Sequence, residues 1–194
     1  MKKQLHFVLT AFLMVTLSVA ILSGCKSKQK ATTIADQGEK ELALPCFEDQ
    51  YMTSDGILRA NAIGESMDQM TSKKKALTEA RAELAAQINT LVKTVTDNYV
   101  KSGEFDNKEE LLERYEGLTR EVVKQELNGT KTICQKMTQT ASGNYKTYIA
   151  IELAGSELLS AINNRVSNDE MLKIDYNYEK YKKTFEEEMN KLDD

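Results

Sequence analysis

Apolar residues recur every three or four positions through Ala76, Leu77, Ala80, Leu84, Ala85, Ile88, Leu91, Val92, Val95 and Tyr99. That period lays them along one stripe of an amphipathic helix. Ser66, with Gln69 three residues on, has the pattern of a capping box. The helix is therefore predicted to begin there and to end near Ser102-Gly103. Before it, Asp55-Gly56 is a turn signal, and residues 57–64 read as a strand. A second helix is predicted from Asn107 to about Leu127, with Leu111, Tyr115, Leu118 and Val122 on its stripe and Asn128-Gly129 at its end. Residues 130–140 are rich in Thr with polar residues interleaved, as in a half-exposed strand. After a turn at Ser142-Gly143-Asn144, Tyr145, Thr147, Ile149, Ile151 and Leu153 alternate with Lys146, Tyr148, Ala150 and Glu152. That is a hairpin with one face toward the helices. A short helix from Glu157 to about Val166 and a last helix from about Asp169 to Leu192 complete the chain. The order β-α-α-β-β-α-α predicts an α+β fold, with a small antiparallel sheet of about three strands packed on a long helix.

The last helix carries Met171, Ile174, Tyr178, Tyr181, Phe185, Met189 and Leu192 at spacings of 3, 4, 3, 4, 4 and 3. Such a seam is long enough to take a partner. Its other reading is packing back on its own domain. The first six of these residues are the candidate partner seam. The tyrosines Tyr176, Tyr178 and Tyr181 offer a further choice between core packing and glycan contact. The small residues Ala76, Ala80, Ala82, Ala85 and Ala86 would let the long helix approach a sheet closely. Lys73, Lys74 and Lys75 read as a solvated turn of that helix.

The N-terminus has a different pattern. Lys2 and Lys3 precede an apolar run from Phe7 to Ile21. A positive end followed by an apolar stretch describes a secretory signal, and the run is shorter than the roughly 20 residues of a membrane-spanning helix. Leu22-Ser23-Gly24-Cys25 resembles the bacterial lipobox. That resemblance implies cleavage before Cys25, a diacylglycerol thioether on its sulfur and acylation of the new amine. Lys26, rather than Asp, follows the cysteine, which points to the outer membrane. The organisation expected is a cleaved signal at 1–24, a lipidated Cys25 with a polar tether to residue 44, a domain over 45–168 and a C-terminal helix over 169–194. A flexible tether of this length reaches roughly 25 Å on average.

Composition narrows the chemistry. The chain has 26 Lys and Arg against 30 Asp and Glu, which gives no overall attraction to nucleic acid or to anionic lipid. Its one histidine, His6, lies in the signal, so the processed chain has none to serve as a general base or metal ligand. No P-loop, G-x-G-x-x-G, H-E-x-x-H or EF-hand pattern occurs. Glu109-Glu110 and Glu186-Glu187-Glu188 read as solvated helix faces. With Cys25 lipidated, Cys46 and Cys134 are a candidate disulfide in an oxidising compartment. The alternative is one buried thiol and one surface thiol.

Gly64-Glu65-Ser66 followed by Ala76-Leu77-Thr78-Glu79-Ala80-Arg81-Ala82-Glu83-Leu84-Ala85-Ala86-Gln87-Ile88 resembles the lipoprotein-20 family of envelope lipoproteins, which is related to the N-terminal domain of the flagellar protein FlgT. Residues 145–153 resemble that family's closing strand. Pro45-Cys46 and Val92-Lys93-Thr94-Val95 resemble lipoproteins common in Bacteroidota. The resemblance implies a compact α+β domain anchored to the outer membrane and supplies no catalytic residue. The function expected is a non-enzymatic binding or structural role in the envelope. The membrane is held through the lipid on Cys25, the partner is an envelope protein or a second copy, and no cofactor is expected beyond that lipid. A peptidoglycan or surface-glycan binding module is the alternative, and a carboxylate-dependent hydrolase comes third.

Overall fold

The structure is a computed structural model that describes residue 40 and residues 42–192, with the side chain of Asp175 left out. The signal segment, Cys25 and nearly all of the tether lie outside the described residues. Every element below belongs to the unit Ala43–Asp194.

Three strands form one antiparallel sheet: β1 (Ile57–Ser66), β2 (Lys131–Gln139) and β3 (Tyr145–Ala154), in the order β1-β3-β2. Among the described residues, five α-helices and a 3-10 turn at Asp49–Tyr51 accompany it: α1 (Gln69–Lys101), α2 (Lys108–Glu126), α3 (Gly155–Asn168), the single turn α4 (Leu172–Asp175) and α5 (Tyr178–Asn190). The fold is α+β, as the alternation and periodicity predict.

Strand geometry sends alternate residues to opposite faces. Leu58, Ala60 and Ala62 of β1, and Thr147, Ile149, Ile151 and Leu153 of β3, are buried under α1. Gly64 sets how close the helix comes. A Cβ there would collide with the backbone at Ser72 and Ala76, so only glycine allows the helix to rest on the strand. Ser72 Oγ donates to the Gly64 carbonyl at 2.9 Å and lies 2.8 Å from Thr147 Oγ1, which leaves no polar group idle at this contact. Of the small residues expected to mediate the approach, Ala76 and Ala80 are buried, Ala85 is half-buried, and Ala82 and Ala86 face outward.

The sheet covers only the first part of α1. The remainder packs against α2 through Tyr115, Val122 and Val123, and against α5 through Tyr181, Phe185 and Met189. Helix α3 closes this layer with Leu158, Ile162 and Val166. One apolar cluster runs through both parts.

Two boundaries differ from expectation. The cap of α1 is Asp68, whose carboxylate accepts from Thr71 N–H at 2.7 Å, rather than Ser66. Ser66 is held in β1 by its pairing with Tyr145. The predicted last helix is broken. The Asp169 carboxylate accepts from Met171 and Leu172 N–H and starts a new turn. At Tyr176 the chain is extended, and Asn177 then caps α5 by accepting from Lys180 N–H. Asn177 N–H donates to the Tyr99 hydroxyl at 2.8 Å. Together these local bonds and the long-range one to Tyr99 outweigh a hydrophobic spacing that would have allowed one continuous helix.

Candidate functional site

The outer face of the sheet, away from α1, carries the Cys46–Cys134 disulfide, with a Cα–Cα distance of 5.5 Å. Cys134 lies opposite Ala150 on β3, just after an irregularity in β2 at Thr132/Cys134. Both sulfurs sit in a small second cluster with Ala150, flanked by Tyr51, Ile133 and Tyr148. Cys46 has φ 64, a conformation disfavoured for a residue with a Cβ. Asn61 Nδ2 holds it by donating to the Cys46 carbonyl at 2.6 Å and to that of Tyr51 at 3.2 Å. The segment that leads into Cys46 is thus fastened to the sheet twice, by a covalent bond and by a half-buried amide. Asn61 was not singled out in the sequence, although a polar residue between Ala60 and Ala62 in a strand is the signal that could have found it.

The candidate seam does not form a single outward face. Tyr181, Phe185 and Met189 are buried in the domain's own core. Met171, Ile174 and Tyr178 are exposed, Ile174 at 73%. Met171 and Ile174 precede the break at residues 176–177, whereas Tyr178 opens α5 itself, one turn before the buried Tyr181. The break leaves the first two around the α3–α5 connection, and α5 turns its Tyr181, Phe185 and Met189 inward.

Tyr176 and Tyr181 belong to an aromatic cluster with Tyr99, Phe105 and Tyr115. Tyr115 and Tyr181 stack at 5.9 Å, and Tyr99 meets Tyr181 edge-on at 5.3 Å. The Tyr181 hydroxyl lies 3.3 Å from Thr96 Oγ1. Burial pushes the phenol of Tyr181 up to about 12 and those of Tyr115 and Tyr176 higher still. Burial favours the neutral form, so these groups contribute stability that is intact below pH 10, the unfolded value, and lost as pH rises through the folded values. An alkaline titration is expected to show their tyrosinate absorbance appearing late, together with loss of near-UV ellipticity. Ionisation of all eight tyrosines near pH 10 with the fold intact would contradict this burial.

The acidic runs divide. Glu109, Glu110, Glu186 and Glu187 are exposed, as expected of solvated faces. Glu188 is buried, which corrects that expectation. Its carboxylate accepts from Asn98 Nδ2 at 3.0 Å and Lys191 Nζ at 2.6 Å. It follows Phe185 by three positions and so falls on the inward stripe of α5. Among the described residues no three His, Cys, Asp or Glu side chains gather as a metal site. None of the described helices is long and apolar enough to cross a membrane.

Comparison with known proteins finds no matching family model, no matching curated protein and no matching solved structure.

Proposed function

We propose that the chain is an envelope lipoprotein of the bacterial outer membrane, anchored through Cys25, whose folded unit is a non-enzymatic binding module for another envelope protein or a second copy of itself. The observation that carries this reading is the position of the exposed apolar residues Met171, Ile174 and Tyr178 relative to the tether. Gly64 lies against Ser72 and Ala76 near one end of α1, and Tyr176 lies against Tyr99 near the other. At 1.5 Å per residue, those contacts are roughly 35–40 Å apart along the helix. Cys46, where the tether meets the fold, is held beside Asn61 and Tyr148, close to the Gly64 end. Within the folded unit, the Ile174 tip and the Cys46 entry point therefore lie toward different ends of α1. The glycan alternative needs a shelf of accessible tyrosine faces, and Tyr181 is wholly buried in the core.

A photo-crosslinking residue at position 178 in intact cells is expected to trap a protein adduct. The double substitution Met171→Asp, Ile174→Asp should weaken that adduct by about tenfold or more, the loss typical of apolar anchors at an interface. An adduct unchanged by the double substitution, or none at position 178, would overturn the assignment of this tip.

A further inference from the structure

The end of the domain opposite the Ile174 tip has its own composition. Met67, in the β1–α1 turn, is 85% exposed and Met70, in the first turn of α1, is 58% exposed. Ile63 is also exposed on the outer sheet face, opposite Tyr148. Lys73, Lys74 and Lys75 follow on α1. Lys136 and Lys146 join them from the sheet, Lys136 opposite Tyr148 and Lys146 opposite Glu65. Two carboxylates lie in the same region, and both are engaged. Glu65 pairs with Lys146 at 3.5 Å and accepts from Asn144 Nδ2 at 3.0 Å, and Asp68 caps α1. Lys146 is paired with Glu65, and Lys75 Nζ donates to the Glu65 carbonyl at 3.1 Å. Lys73, Lys74 and Lys136 remain as the cations of this end in a chain whose acids outnumber its bases.

We infer that this end docks on the anionic lipid headgroups of the bilayer that carries the anchor. Met67 and Met70 enter the interfacial layer, while Lys73, Lys74 and Lys136 face the phosphates. The inference rests on the lipid-anchored reading above. Three features select a bilayer as the occupant. Exposed, flexible methionines flanked by lysines match the apolar-and-basic pattern of interfacial contacts. Lysine stems can lie along apolar surface while their ammonium groups stay at the headgroups. The chain enters the fold at Cys46, toward this end, only about 20 residues along the chain from the proposed anchor at Cys25. Docking here would also hold the Ile174 tip pointing away from the bilayer.

The test uses the mature lipidated protein in nanodiscs. An environment-sensitive fluorophore is attached through Met67→Cys in one sample and through Ile174→Cys in another. In discs of phosphatidylethanolamine with phosphatidylglycerol, a lipid-borne quencher is expected to quench the probe at position 67 and to spare the one at position 174. Quenching should weaken with added salt. It should also weaken by about fivefold in the docking equilibrium for each of Lys73→Gln and Lys74→Gln. A chain that co-elutes with the discs but keeps its position-67 probe unquenched, or quenched equally in phosphatidylcholine discs, overturns docking alone. A chain that does not co-elute overturns the lipid anchor and docking with it.

Discussion

Loss of the Cys46–Cys134 bridge is expected to lower the stability of the folded domain by between about 4 and 5 kcal/mol. The bridge closes a segment of 88 residues, and chain-entropy reasoning assigns roughly that penalty to freeing so long a loop in the unfolded state. The native state loses less, because Asn61 still holds the backbone at residues 46 and 51. The double variant Cys46→Ser, Cys134→Ser, unfolded in urea beside the oxidised protein, should show the lower midpoint and a steeper denaturant dependence, since its unfolded chain is less compact. For a domain of this size the fall in Tm should be about 10–15 °C. A change below about 1 kcal/mol would mean that the bridge does not constrain the unfolded chain as loop length implies.

The second large effect concerns Tyr181. It has no solvent exposure, stacks on Tyr115, meets Tyr99 edge-on and lies within hydrogen-bond reach of Thr96. Tyr181→Ala should therefore destabilise the domain by about 3–5 kcal/mol, the usual cost of emptying a buried aromatic site. Tyr181→Phe, which removes only the hydroxyl, should cost about 1 kcal/mol. Ile174→Ala, on the same hydrophobic period but exposed, should stay within about 0.5 kcal/mol of the parent. Equal small effects at positions 181 and 174 would restore a continuous outward seam and contradict the packing of α5. Urea unfolding of the three variants distinguishes these outcomes.

That contrast also locates what could be read from the sequence. The stripe from Ala76 to Tyr99 gave α1 nearly residue by residue, because packing on a sheet and then on helices demands the same 3.6-residue period. Thr147, Ile149, Ile151 and Leu153 gave β3 for the corresponding reason in a strand. The break before α5 was not legible, since the spacing through Met171, Ile174 and Tyr178 continues across it. Side-chain oxygens of Asp169 and Asn177 decide the break, together with the hydroxyl of Tyr99, 78 residues away from its partner. The two cysteines were a candidate pair. What spacing could not supply was the irregularity at Thr132/Cys134 and the left-handed turn at Cys46, which bring both sulfurs to the outer sheet face. Lys73, Lys74 and Lys75 read as a solvated turn, and Lys74 and Lys75 are exposed, but linear sequence does not show that Lys136 and Lys146 share this end of the sheet. Pairing β2 and β1 on either side of β3 places Lys146 opposite Glu65 and Lys136 across Tyr148 from Ile63.

The proposed role depends above all on the anchor at Cys25. Intact-mass and fragment analysis of the protein extracted from membranes tests it directly. The account predicts a chain beginning at Cys25, with a diacylglycerol thioether and an acylated amine at that residue. A membrane-extracted chain that retains residues 1–24, or one that begins at Cys25 with a free thiol, would contradict it.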